Sequence, residues 1–514
     1  MPAAGAAVAI HVSGNHLVDA VGDTITLHGV DRSGTEYMCV QNAGIFDGPS
    51  DAASVAAMAS WGVNAVRVPL NEDCWLGING APAAYSGAAY QTAIENYVAL
   101  LHQYGMYAIL ELHWTAPGTN LATFQENLPD YTNSVPLWAS VAAAFKGDPA
   151  TIFDVFNEPN NIGMVSCAAG APAACQTYIN DASTGAHGGL GTANWWCWMQ
   201  GTGCITNDNA SGFGGDWEVA SAQNLIDAIR GARANNVIMV GAEQFANDPS
   251  QWLAYAPTDP AGQLAMSFHV YNFNAVCVTV SCWNSELLPI TAKYPIITGE
   301  IGESDGTANF IDTYMTWADS HGVSYLAWTW DTWGCGDAAV LISSYTGTAC
   351  PGFGAGYQAH LASLAGSPTP TPTPTVTATP TPTSDPTPTP TATATASPTA
   401  LPGSTSTAVL RAKSGSSPTP TVEVSSGTPP TGTPGPGSSP PARGYHRGAA
   451  LTSTTGGTAG PTSGPNIATT LVGSPLGLAL GSAGLLAIIV VILGLVVRHR
   501  LRWQLLPPWH QKGA

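Results

Sequence analysis

The sequence predicts a closed (β/α)8 TIM barrel with a short N-terminal β-hairpin over residues 1–366. Three observations carry this. Eight short apolar runs are rich in β-branched and aromatic residues, a helical segment or long loop follows each, and the eight units occupy about 340 residues. Strict β–α alternation argues a parallel sheet, and eight such units argue one that closes on itself. A doubly wound open sheet is the alternative. No Gly-x-Gly-x-x-Gly follows the first strand, so dinucleotide binding has no support.

Residues 8–33 read as short strands with turns at Ser13-Gly14-Asn15 and Gly22-Asp23, a hairpin flooring the domain. Strands are then predicted at 24–31, 64–70, 107–114, 152–158, 236–243, 264–271, 295–300 and 325–330. Helices are predicted between and after them at 51–61, 90–104, 136–146, 216–234, 285–293, 309–321 and 356–365. Residues 160–215 form a long Gly-, Ala- and Cys-rich insertion, expected to wall one end of a cleft and to bear on endo against exo action.

Composition changes abruptly after Gly366. Residues 367–475 are dominated by Thr, Pro, Ser and Gly, and such proline density favours extended, solvated chain, so this stretch is expected to be a disordered linker. Residues 476–497 carry no charge and are rich in Leu, Ile and Val, and a helix of that length spans about 33 Å. Arg498, His499, Arg500 and Arg502 follow, so a transmembrane helix is expected with a basic cytoplasmic tail at 498–514. The expected location is the cell surface, with residues 1–366 outside and the chain anchored in the membrane. Residues 1–7 lack the basic n-region and cleavage site of a secretory signal.

Before residue 367, six basic residues face 31 acidic ones, a formal charge of −25. Such a surface repels nucleic acid and anionic lipid but not a neutral substrate. All ten cysteines lie in the same region. None is spaced as in a zinc ribbon or a Cys-x-x-Cys, which points to disulfides in an exported domain. Cys167 and Cys175, Cys197 and Cys204, Cys277 and Cys282, and Cys335 and Cys350 are close local pairs, and Cys39 and Cys74 remain by subtraction. Spacing alone does not settle that connectivity.

Two strand ends carry chemistry. The run 152–158 ends in Asn157-Glu158 and stops at Pro159, which has no N–H for a ladder; the run 295–300 ends in Glu300. A carboxylate at the end of a buried strand is poorly solvated and its pKa rises. Two of them on separate strand ends suit glycoside hydrolysis, one protonating the leaving oxygen and one attacking or activating water. The other polar residues at strand ends are Arg67, His113 with Trp114, His269 with Tyr271, and Trp328 with Trp330. Glu303, Glu36, Glu72 and Glu243 also fall near strand ends, with Glu303 ranked below Glu300 and with Glu72 or Asp73 as candidate substrate contacts.

The runs Asn64-Ala65-Val66-Arg67-Val68-Pro69, Leu112-His113, Phe156-Asn157-Glu158-Pro159, His269-Val270-Tyr271, Thr298-Gly299-Glu300 and Trp328-Thr329-Trp330 together resemble glycoside hydrolase family 5 over residues 8–365. The resemblance implies a retaining mechanism with Glu158 as acid/base and Glu300 as nucleophile. Arg67 would keep Glu300 ionised, Tyr271 would donate to it, and Asn157 would hold the 2-hydroxyl. His113 and His269 would bind sugar hydroxyls or support the acid.

Sixteen tryptophans are many for one chain. Trp75, Trp114, Trp283, Trp330 and Trp333 are placed in or beside upper loops, with Trp330 expected under the scissile sugar and Trp328 beside it. The leading expectation is an endo-β-1,4-glucanase (cellulase) binding β-glucan. β-Mannanase, xyloglucanase and exo-β-glucanase are alternatives of the same chemistry, and a non-catalytic carbohydrate-binding surface protein is one of another class. No cofactor is implied, no metal ligand set is recognised, and the chain is expected to act as a monomer.

Overall fold

A computed structural model of the protein describes residues 9–160, 165–184, 190–207, 215–335 and 339–366. The expected linker, transmembrane helix and tail lie outside the described residues. Among the described residues no helix is long and apolar enough to cross a membrane.

Seven of the eight barrel strands are buried at every position, which is why they read as continuous apolar runs rather than as alternating ones. In chain order they are His28–Asp31, Ala65–Asn71, Tyr107–Trp114, Thr151–Asp154, Ile238–Gly241, Leu264–Tyr271, Ile296–Gly302 and Ser324–Ala327. All pair in parallel, and the fourth pairs with the fifth as the eighth pairs with the first, closing the barrel. The fourth is shorter than expected and ends at Asp154, so Asn157 and Glu158 stand on the segment beyond it.

Side chains alternate along each strand, and the inward file changes character from bottom to top. At the lower end Ala65, Ile109, Ile152, Met239, Ala265, Ile297 and Leu326 pack into one cluster. Ile10 and Leu17 of the antiparallel hairpin Ile10–Ser13 and His16–Asp19 join it, so the hairpin does floor the barrel. Two residues further along the same strands the file becomes Arg67, Glu111, Asp154, Gly241, Ser267 and Gly299. The upper half of the barrel is therefore polar, although every one of these residues lies inside a run that reads as apolar.

Outside the barrel, helices Ala52–Ser60, Ala88–Gln103, Ser134–Phe145 and Asn309–Ser320 stand within two residues of their expected bounds at each end. Asp51 caps the first of these by accepting from the Ala53 and Ser54 backbone N–H groups. The span 216–234 is a correction. Asp216–Glu218 is a strand, and the helix is Ala222–Gly231, opened by a capping box at Ser221 and Asn224. The strand joins Ser166–Cys167 and Cys204–Asn207 in a small antiparallel sheet of the insertion. That sheet packs on the loop after the third barrel strand, where Trp217 donates to the Leu128 carbonyl and Tyr131 N–H to that of Glu218. The ten cysteines form five disulfides, Cys39–Cys74, Cys167–Cys175, Cys197–Cys204, Cys277–Cys282 and Cys335–Cys350.

Candidate active site

Arg67, on the second strand, organises the top of the barrel. Its guanidinium donates to Glu300 at 2.8 Å, Asp31 at 3.1 Å, Asp154 at 3.1 Å and the Asn157 side-chain oxygen at 2.8 Å, with Glu111 at 3.8 Å. Burial works against its charge, but Glu111, Asp154, Asp31 and Glu300 together outweigh that and hold its pKa above the ordinary value. Burial pushes Asp154 up to about 7 and Asp31 well above the usual carboxylate range, while the Arg67 charge acts to lower both.

Glu300 faces this cluster because of a register shift. Ile297 points inward and Thr298 outward, where its hydroxyl meets the Tyr314 hydroxyl on the helical layer. Gly299 points inward again, against Ser267 and His269. Strict alternation would send Glu300 outward. The pairing of the sixth and seventh strands slips between Phe268 and His269, so His269 pairs with Glu300 and the carboxylate turns into the barrel. Its second oxygen accepts from the Tyr271 hydroxyl.

His269 joins the two acids. Its Nδ1 lies 3.1 Å from Glu158 and 3.6 Å from Glu300, and the ligand atoms of all three residues lie within 4.8 Å of one another. Burial, aided by the charges of Arg67 and His113, lowers the imidazole's pKa well below the usual, so it stays neutral. Burial raises Glu158 well above the ordinary carboxylate range, and the charge of Glu300 raises it further. Burial raises Glu300 as well, but Arg67, His113 and the Tyr271 hydrogen bond act against that. The two environments pull the pKa values apart, Glu158 towards an acid and Glu300 towards a carboxylate.

His113 donates through Nδ1 to Glu111, whose charge overcomes burial and lifts the imidazole to about 9. The ring stacks on Trp328 at 5.4 Å, and Trp333 lies 6.4 Å from both Trp328 and Tyr37, making an aromatic wall that Trp114 backs at 6.1 Å from Tyr37. The Glu158–His269–Glu300 group has the donor atoms to hold a cation. Both Glu300 oxygens are already bonded, however, and a cation there would sit beside the guanidinium.

Arg67, His113, Asn157, Glu158, His269, Tyr271, Glu300 and Trp328 thus converge. Trp330 does not: it is fully buried, edge-on to Trp61 at 4.8 Å, and cannot lie under a sugar. Trp328, with 6% of its surface exposed, is the ring stacked on His113. Trp75 and Trp283 are core residues bonded to Ser140 and the Cys277 carbonyl. Glu303 accepts from the Phe310 and Ile311 N–H groups at the start of helix Asn309–Ser320. Glu72 and Asp73 tie down loop segments through Ser134, Ala116 and Ala122, and their bonds are structural.

Sequence reading missed Asp31, Glu111, Asp154 and Gln125. The first three had a signal in the two-residue spacing. Glu111 stands two before His113, and Asp154 two after the inward Ile152. Gln125 lies in an irregular loop and had none.

A β-carbon on Gly299 would lie 2.8 Å from His269 Nε2 and 3.1 Å from Ser267 Oγ. Gly299→Ala therefore displaces the imidazole that holds Glu158. We expect kcat to fall about 100-fold and stability by about 1–3 kcal/mol. Steady-state kinetics alongside urea denaturation check both, and unchanged kcat contradicts the packing argument.

A family model described as Cellulase (glycosyl hydrolase family 5) matches residues 18–334. A curated relative, a mannan endo-1,4-beta-mannosidase from Streptomyces lividans, is 26% identical over 346 residues, covering 64% of this chain and 69% of its own. Among solved structures, a beta-glucanase from Saccharophagus degradans aligns with 17% identity over 70% of this chain and 95% of its own, at a TM-score of 0.46. An endo-beta-1,4-glucanase from Xanthomonas axonopodis pv. citri aligns with 19% identity over 66% and 99%, at 0.45.

Proposed function

This chain belongs to glycosyl hydrolase family 5, and on that premise we propose that it is a retaining endo-β-1,4-glycanase whose substrate is β-1,4-glucan. The observation that carries the reading is the pair Glu158 and Glu300, both within reach of one neutral His269 Nδ1. Retaining enzymes hold their two carboxyl groups about 5–5.5 Å apart, and inverting ones leave room for a water between them. One oxygen of Glu158 and one of Glu300 lie within 4.8 Å of each other, which supports the closer, retaining arrangement.

Glu300, kept ionised by Arg67 and oriented by Tyr271, attacks the anomeric carbon. Protonated Glu158 gives its proton to the glycosidic oxygen as that bond breaks, forming a glycosyl-enzyme on Glu300. Glu158, now a carboxylate, takes a proton from water, which attacks the same carbon and releases Glu300. Asn157 Nδ2 and His113 Nε2 lie 3.4 Å apart and are both able to donate to sugar oxygens, and Trp328 supplies a flat apolar face. Hydrogen bonds to the 2-hydroxyl strengthen as the oxocarbenium-like transition state forms.

β-1,4-Mannan is the second reading, favoured by the activity named for the Streptomyces lividans relative. We further propose that the catalytic domain works as a monomer outside the cell, carried by the linker at 367–475 and anchored by the apolar run at 476–497. The test of function is reducing-sugar release and viscosity loss on soluble β-glucan, mannan, xylan and xyloglucan, with proton NMR of the first product. We expect β-glucan to lead and the β-anomer to form first. A preference for mannan transfers the assignment to the second reading, and the α-anomer first defeats the retaining mechanism.

A further inference from the structure

Three side chains at the top of the barrel form a one-way chain of hydrogen bonds. Arg67 Nη2 donates to Asn157 Oδ1 at 2.8 Å, Asn157 Nδ2 donates to Gln125 Oε1 at 2.7 Å, and Gln125 Nε2 donates to the Glu158 carbonyl at 3.2 Å. A guanidinium can only donate and a backbone carbonyl can only accept. The two ends therefore dictate which way both amides face. Asn157 must present its NH2 group, not its oxygen, towards Gln125, with one N–H taken by Gln125 and the other left beside His113 Nε2.

We propose that Gln125 is a positioning residue for recognition of the sugar 2-hydroxyl: it locks the Asn157 amide so that its remaining N–H donates to that oxygen, and ties the lock to the backbone of Glu158. The inference rests on the reading of Asn157 as the 2-hydroxyl contact. Gln125 reaches the site from the loop following the third strand, and that loop is held independently. Asn133 donates to the Ala116 and Gly118 carbonyls, and the Ala122 N–H donates to Asp73. The Asn160 N–H donates to the Asn127 carbonyl beside it. Removing the Gln125 head group thus unlocks Asn157 without freeing the loop. Asn157 is then held at its oxygen alone and can swing about that bond.

The test uses the full chain and two aryl β-cellobiosides, one complete and one lacking the 2-hydroxyl on the ring that carries the aryl group. Gln125→Met keeps the side chain's length but neither hydrogen bond, and Gln125→Glu keeps the acceptor for Asn157. We expect Gln125→Met to lower kcat/KM about tenfold on the complete substrate, mostly through kcat, and less than twofold on the 2-deoxy substrate. Gln125→Glu restores the preference for the 2-hydroxyl. Equal losses on both substrates, or no loss on either, overturn the proposal. Asn157→Ala separates the two layers of the argument. If Asn157→Ala loses activity selectively on the complete substrate and Gln125→Met does not, the positioning role alone is wrong. If Asn157→Ala shows no such selectivity, the 2-hydroxyl contact on which it rests is wrong.

Discussion

Glu300→Ala is expected to lower kcat on β-glucan by about 10⁵–10⁶-fold, the scale on which loss of a covalent nucleophile is felt. The domain should stay folded, because Arg67 keeps Asp31, Asp154 and Glu111 around it. Azide should partly rescue the variant, entering the space of the lost carboxylate and giving an α-glycosyl azide. Glu158→Ala should behave differently. On polysaccharide it loses about 10²–10⁴-fold, the usual weight of a general acid. On a dinitrophenyl glycoside, whose leaving group needs no proton, the first step survives and the glycosyl-enzyme accumulates. Azide then speeds the second step and gives the β-azide. The anomeric configuration of the azide product, read by NMR, assigns each role. The opposite pattern exchanges the roles, and full activity in either variant removes that residue from the mechanism.

Arg67→Met should abolish activity and destabilise the domain by about 3–5 kcal/mol, because removing one partner of a buried ion pair leaves the others uncompensated. Asp31, Glu111, Asp154 and Glu300 would then stand together without a cation. The pH dependence follows in sign. Asp31, Asp154 and Glu300 already have folded pKa values raised by burial, and Arg67 acts to lower each of them. Without it they rise further above their unfolded values of about 4. A carboxyl whose pKa is higher folded than unfolded binds more protons when folded, so its presence costs stability as pH rises past the unfolded value. Parent and variant share that cost below the parent's own folded values, about 7 for Asp154, so the deficit of Arg67→Met relative to the parent should be smaller near pH 5 and grow towards pH 8. Urea denaturation at the two values measures it, and a deficit independent of pH means the loss is one of packing rather than of charge.

Both predictions turn on residues that were legible as charged types within or just after apolar runs, although Arg67 stands inside its strand rather than at its end. Arg67, Glu158 and Glu300 each close or punctuate an apolar run, and a charged side chain in such a place has few bland explanations. Trp330 was not legible in the same way. It stands two residues from Trp328 near the same strand end, yet Trp330 is sealed against Trp61 while Trp328 faces the cleft beside His113. The span 216–234 failed for a related reason. Asp216–Glu218 is held as a strand by its partner Cys204–Asn207, and a partner across an insertion leaves no mark on local periodicity.

Chain order and composition were sufficient for the barrel, for the two acids and for the arginine between them, because burial on both faces of a parallel strand imprints itself on consecutive residues. Folding alone decided how those groups face one another. A one-residue slip of pairing turns Glu300 inward, four carboxylates meet one guanidinium, and a loop glutamine sets the direction of an amide. Each depends on atoms brought together from distant strands, where burial and the obligatory direction of a hydrogen bond act across space and not along the chain.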